Sequence, residues 1–193
     1  KDKASKQFEA AKLALESADQ ASSPVYASVL ANIAVLHVRS DDLKSADKLY
    51  NQSLLILEAT LGQEHPSYAV TLGNVAVLKE RLEDWSGAEY LHLQTLDLKR
   101  KAMGRDTQSV ASSLHNLANF YEGQKDKVKQ FQYLREAKEA YANSVGLQHP
   151  AARDVVAKLN ALQDDQALQQ MVTPPIQPSV VPAASVGRAN QPA

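Results

Sequence analysis

Five histidines, His37, His65, His92, His115 and His149, are the residues of this chain best suited to ligate a metal or carry a proton. Their spacing argues against a metal centre, because no H-E-x-x-H or H-x-x-x-H pair occurs. Three of them, His37, His65 and His149, instead fall on positions that recur along the chain. Cysteine is absent, which removes disulfides, thiolate zinc sites and cysteine nucleophiles together and leaves the redox compartment undetermined. No G-x-S-x-G elbow, G-x-x-x-x-G-K-[ST] loop or G-x-G-x-x-G turn is present. The expectation is a protein without catalytic residues, metal or cofactor. What does recur is asparagine: Asn32, Asn74 and Asn116 stand 42 residues apart. A carboxamide carries a donor and an acceptor and can pair with any peptide unit, whatever side chain that unit bears.

The elements that place these asparagines share the same period. Each lies in an L-x-N-[ILV]-A motif, at Leu30 to Ala34, Leu72 to Ala76 and Leu114 to Ala118. Ser23, His65, Thr107 and His149 recur ahead of Pro24, Pro66, Gln108 and Pro150. Serine or threonine can cap a first turn, and proline is tolerated at the first helical position, so these read as helix starts. Asp42, Asp84 and Asp126 mark a second start in each repeat, and Gly62, Gly104 and Gly146 mark stops where glycine accepts a left-handed conformation. The spacing predicts helices at about 24–39, 43–61, 66–81, 85–103, 108–122 and 127–145, three hairpins in all. Ala4, Phe8 and Leu13 share a register with Ala46, Tyr50 and Leu55, which predicts a half repeat in front. Val155, Val156, Leu159 and Leu162 predict a last helix behind. Tyr50, Tyr90, Phe120, Tyr121 and Tyr133, with Trp85, are expected to pack between helices.

The chain is therefore divided into a partial repeat at 1–20, three repeats over 21–148, a capping helix at 149–171 and a Pro-rich tail at 172–193 that cannot be helical. With 44% hydrophobic residues in 193, it suits one elongated all-α unit. A net charge of −1 supplies no field for phosphate backbones or anionic lipid, so nucleic acid is not an expected partner. No run approaches the roughly eighteen apolar residues that a membrane span needs. The expected partner is a protein or peptide within a larger complex, not a small-molecule substrate. Cytoplasm is the default location, with an organelle interior the alternative if Lys1 is a processed terminus.

Leu61-Gly62-Gln63-Glu64-His65-Pro66, followed by Ala69, Leu72, Asn74 and Ala76, resembles the L-G-x-x-H-P-x-x-A-x-x-L-x-N-L-A pattern of the 42-residue tetratricopeptide repeats (TPRs) of kinesin light chains. The resemblance extends over residues 21–162. It implies an α-solenoid of TPR-type hairpins in a right-handed superhelix, acting as a scaffold or adaptor. The family's first helices line a concave groove whose asparagines bind an extended peptide, which implies that role for Asn32, Asn74 and Asn116. Asn119 joins them on the groove face, and Arg39 and Arg81 stand at its edge, where they could meet an acidic partner. The other flanking groove positions, among them Ser28, Val70, Val77 and Ser112, carry no charge, so the cationic clamp of chaperone-binding members is missing. The chain departs from the family twice. Asp41, Glu83 and Lys125 replace the glycine between paired helices, and Gln130 replaces the alanine of the third hairpin, where irregular packing is expected. The rival expectation is a constitutive accessory subunit of a large assembly, anchored by its tail and outer faces.

Overall fold

The computed structural model describes residues 2–163. The end of the expected capping helix and the Pro-rich tail lie outside the described residues. Among the described residues there are eight helices and no strand: α1 (Asp2–Ser17), α2 (Pro24–Arg39), α3 (Leu43–Leu61), α4 (Pro66–Arg81), α5 (Trp85–Met103), α6 (Gln108–Gly123), α7 (Lys127–Ser144) and α8 (Pro150–Gln163). Helices α2–α3, α4–α5 and α6–α7 form three hairpins stacked in series, and the first helices α2 and α4 also touch directly. The molecule is an all-α solenoid of helical hairpins.

Each boundary has a visible cause. Ser23 Oγ accepts from the Tyr26 amide at 3.1 Å and Thr107 Oγ1 from that of Val110 at 3.3 Å. The histidines at the same register also cap: His65 Nδ1 accepts from the Ser67 amide at 3.1 Å and His149 Nδ1 from that of Ala151 at 3.3 Å. Asp42, Asp84 and Asp126 accept from the Ser45, Gly87 and Lys129 amides at 3.2, 3.0 and 3.0 Å. The same three aspartates close the preceding helix, their own amides donating to His37, Lys79 and Tyr121 carbonyls at 3.0 Å each. One residue thus ends one helix and starts the next.

That economy requires a left-handed residue just before each aspartate, and Asp41, Glu83 and Lys125 hold it with φ of 66°, 59° and 60°. The glycines behave differently from expectation. Gly62 and Gly104 have φ 82° with ψ of 162° and 171°, an extended region open almost only to glycine rather than the left-handed helical one.

Packing repeats with the sequence. Ala27, Ala69 and Ala111, with Ala34, Ala76 and Ala118, are fully buried, and Leu30, Leu72 and Leu114 lie between them in the chain. The third hairpin is as regular as the others. Gln130 is buried in it, α6 and α7 run unbroken, and its residues belong to a core continuous with α8. At the alanine registers α8 instead exposes Arg153 and Asn160 beside half-buried Val156, and these residues edge an open cleft of about 390 Å³. Two of the aromatics do not pack as expected: Tyr90 is 66% and Trp85 46% exposed on α5.

Candidate functional site

The stacking of α2 against α4 leaves a cleft of about 230 Å³ on the face formed by the first helices. Asn32 and Asn74 both line it, with Ser28, Ser67, Val70 and Thr71 around them. Its wall is neutral: hydroxyls, carboxamides and short apolar groups, without an ionised side chain. Thr71 turns its hydroxyl back to the Ser67 carbonyl at 3.1 Å, and Ser28 does the same to the Pro24 carbonyl at 3.0 Å. The asparagines do not satisfy themselves in this way. No hydrogen bond within the described residues engages the carboxamide of Asn32, Asn74 or Asn116, although Asn74 is half-buried.

The six residues expected at the site fare unequally. Asn32 and Asn74 are brought together; Asn116 is exposed one repeat further along the same register and does not line this cleft. Asn119 is already engaged, its Oδ1 accepting from Lys158 Nζ at 2.7 Å. Arg81 is paired too, its Nη2 donating to Asp41 Oδ1 at 2.7 Å across to the preceding hairpin turn. Arg39 is exposed at the end of α2, away from the cleft wall.

Lys158 was legible in the sequence, for it stands 42 residues after Asn116 and takes the asparagine's place on α8. It also donates to Glu122 Oε2 at 2.6 Å. Beside it, His115 Nε2 lies 2.9 Å from Asp154 Oδ2 without hydrogen-bond alignment. Burial pushes the His115 imidazole below its usual range, against the opposing pull of the Asp154 carboxylate. The groove thus changes character along its length, from a neutral open cleft between α2 and α4 to a cross-linked polar seam between α6 and α8.

On the second helices, His92 is 3% exposed, 2.6 Å from Glu80 Oε1 and against the Phe120 ring, which makes it part of the core. Lys99 is also buried, with Nζ donating to Ser113 Oγ at 2.9 Å, and desolvation draws its ammonium below the usual lysine range. Residue 99 shares a register with Leu57 and Tyr141, so a core position was readable from the repeat.

Serial hairpins with a cleft between their first helices and unpaired carboxamides along it are the make-up of a helical-repeat scaffold for protein–protein interaction. Profiles described as tetratricopeptide repeat match residues 25–101 and 110–151. The chain belongs to the tetratricopeptide-repeat family, a generally non-catalytic one. A point variant of a Podosopora anserina protein described as a kinesin light chain of nearly identical TPR-like repeats is similar, at 18% identity and TM-score 0.66, covering 86% of this chain and 81% of that one. A second structure, of that protein without the change, has 17% identity and TM-score 0.57, with coverage of 82% and 85%. BtubC (BKLC) from P. vanneervenii has 17% identity and TM-score 0.55, with coverage of 86% and 71%. Identities this low speak for the fold alone. No curated protein matches the chain. No helix among the described residues is long and apolar enough to cross a membrane.

Proposed function

We propose that this chain is a non-catalytic adaptor that takes an extended peptide along its concave face, with Asn32 and Asn74 pairing to the peptide backbone and Asn116 continuing the row. The observation that carries this reading is the α2–α4 cleft, where carboxamides from two repeats converge without partners of their own. An extended chain presents one donor and one acceptor per residue, which matches what a carboxamide offers. Neutral walls suit small or apolar side chains at this end. Asn119 and Arg81 enter only if a ligand displaces Lys158 and Asp41.

The test is binding of a peptide selected from a random display library, measured by calorimetry on the wild type and on an Asn32→Ala/Asn74→Ala variant. Losing two or more hydrogen bonds is expected to weaken binding by about tenfold or more. Melting should be unchanged, because neither carboxamide supports the fold. Equal affinity for both proteins would exclude the asparagine groove as the site.

The rival reading, a constitutive accessory subunit, is favoured by the apolar groups on α5, where Trp85, Tyr90 and Leu93 are 46%, 66% and 40% exposed. Recovery of the same stoichiometric assembly with wild type and variant from the native source would support it.

A further inference from the structure

Lys99 is a buried ammonium without a counter-charge among the described residues. It is 8% exposed, at a register where the neighbouring hairpins place Leu57 and Tyr141, each 1% exposed. Its one hydrogen bond runs to the Ser113 hydroxyl on α6. No carboxylate among the described residues pairs with it. One turn earlier on the same face of α5, Thr95 Oγ1 is buried and has no partner. The acids nearest along the chain are engaged elsewhere, Asp97 by Lys101 and Asp106 by Asn143. An ammonium taken out of water is stabilised only by an anion or by further acceptors, and the described residues supply a single hydroxyl.

Ser113 holds on α6 the register that Thr71, in the wall of the first cleft, holds on α4. Moved by one repeat, Pro66, Ser67, Val70 and Thr71 of the first cleft become Gln108, Ser109, Ser112 and Ser113. The segment between α4 and α6 therefore has a carboxamide where the first has Pro66, a hydroxyl where it has Val70, and Lys99 behind it where the first has Leu57. Gly73 keeps α4 close to α5 there, since a Cβ on it would stand 3.1 Å from Thr95 Cγ2. The first turn of α6, with its outward amides, adds positive potential on the same side.

We propose that the groove segment between α4 and α6 receives a carboxylate side chain of the bound peptide, held through Ser113 and Lys99, while Asn74 and Asn116 hold the backbone on either side. This rests on the peptide-groove reading above and names the chemistry of its ligand: an extended peptide, neutral where it crosses α2 and α4, with an acidic residue one repeat further on. The carboxylate supplies the counter-charge that the fold leaves out.

The experiment selects peptides from a random display library on the wild type and, separately, on Lys99→Met. The variant places a long apolar side chain at a register held elsewhere by leucine and tyrosine, so the fold is retained, which circular dichroism checks. Expected is one fixed acidic position among wild-type binders that disappears on Lys99→Met. For a selected peptide, changing that aspartate to asparagine should weaken binding about tenfold to the wild type and less than about twofold to Lys99→Met. Binders that depend on Asn74 but carry no acidic position, or keep it on Lys99→Met, would overturn the proposal and leave the groove reading standing. Recovery of no Asn74-dependent binder would defeat the groove reading itself, and this proposal with it.

Discussion

Lys99 shows how one residue can work against the stability of its own repeat. Apart from any ligand, its burial without a counter-charge makes Lys99→Met stabilising, by about 1–2 kcal/mol at neutral pH in urea melts. The variant leaves no orphan behind, because Ser113 Oγ still donates to the Ser109 carbonyl. A pH signature separates this cause from simple repacking. The folded-state pKa of Lys99 is lowered, so between that value and the ordinary lysine range near 10.5 the unfolded chain holds more protons. Wild-type stability therefore gains as pH rises into that window, and the gap to Lys99→Met narrows from its neutral-pH value. A gap that does not narrow as pH rises from neutral toward the ordinary lysine range would contradict this account. The comparison must stop below about pH 10, since burial pushes the Tyr50 phenol up to about 12. That phenol contributes stability present below pH 10 and lost as unfolded-state tyrosines ionise.

At the scale of the element, the hairpin turns and the repeat junctions invite opposite substitutions. Glu83 and Lys125 hold left-handed backbone that a side chain disfavours, and both are exposed. Glycine at either position is expected to raise stability by roughly 0.5 kcal/mol, the steric relief exceeding the added flexibility of the unfolded chain. Gly104→Ala should do the reverse and lose about 1–3 kcal/mol. Nothing lies within 4 Å of a Cβ built there, so the whole loss would come from a φ of 82° and not from a clash. Chemical denaturation with unchanged m-values checks both signs. The caps respond to acid. Hydrogen bonds from Ser45 hold the Asp42 carboxyl below its ordinary range, and the Gly87 amide and then Lys79 do so for Asp84. Their contribution is complete above about pH 4 and declines as pH falls through the lowered folded values, which should appear as melting temperatures falling below pH 4.

Across the molecule, stability is distributed by neighbours. Helix α1 packs chiefly on α2, has no fully buried residue between positions 3 and 17, and is tied across by the bond from the Tyr26 hydroxyl to Glu16 at 2.6 Å. Helices α6 and α7 share a core with α5 on one side and α8 on the other. In a linear array each unit is held only by those adjacent to it. Amides of α1 should therefore exchange with solvent fastest and those of α6 slowest, separated by an order of magnitude or more in protection. Hydrogen exchange read by mass spectrometry resolves the two. Uniform protection along the array would mean that it unfolds as one cooperative unit instead.

The sequence by itself determined the period, the helix boundaries and the row of asparagines, because caps, prolines and stop glycines act within a few residues of themselves. Whatever depends on a partner two helices away was decided by the tertiary structure. Asn119 reads as a groove residue one turn beyond Asn116 until Lys158 of α8 reaches across to it. Arg81 reads as a groove-edge cation until the preceding turn supplies Asp41. Gln130 reads as a defect, yet it is accommodated in the third hairpin without breaking either helix. The period marked position 99 as core, but only the packing of α5 between α4 and α6 set a lysine against Ser113 of α6 with no acid among the described residues to balance it. Local chemistry sets where a chain turns, whereas charge balance is a sum over everything that folding brings near.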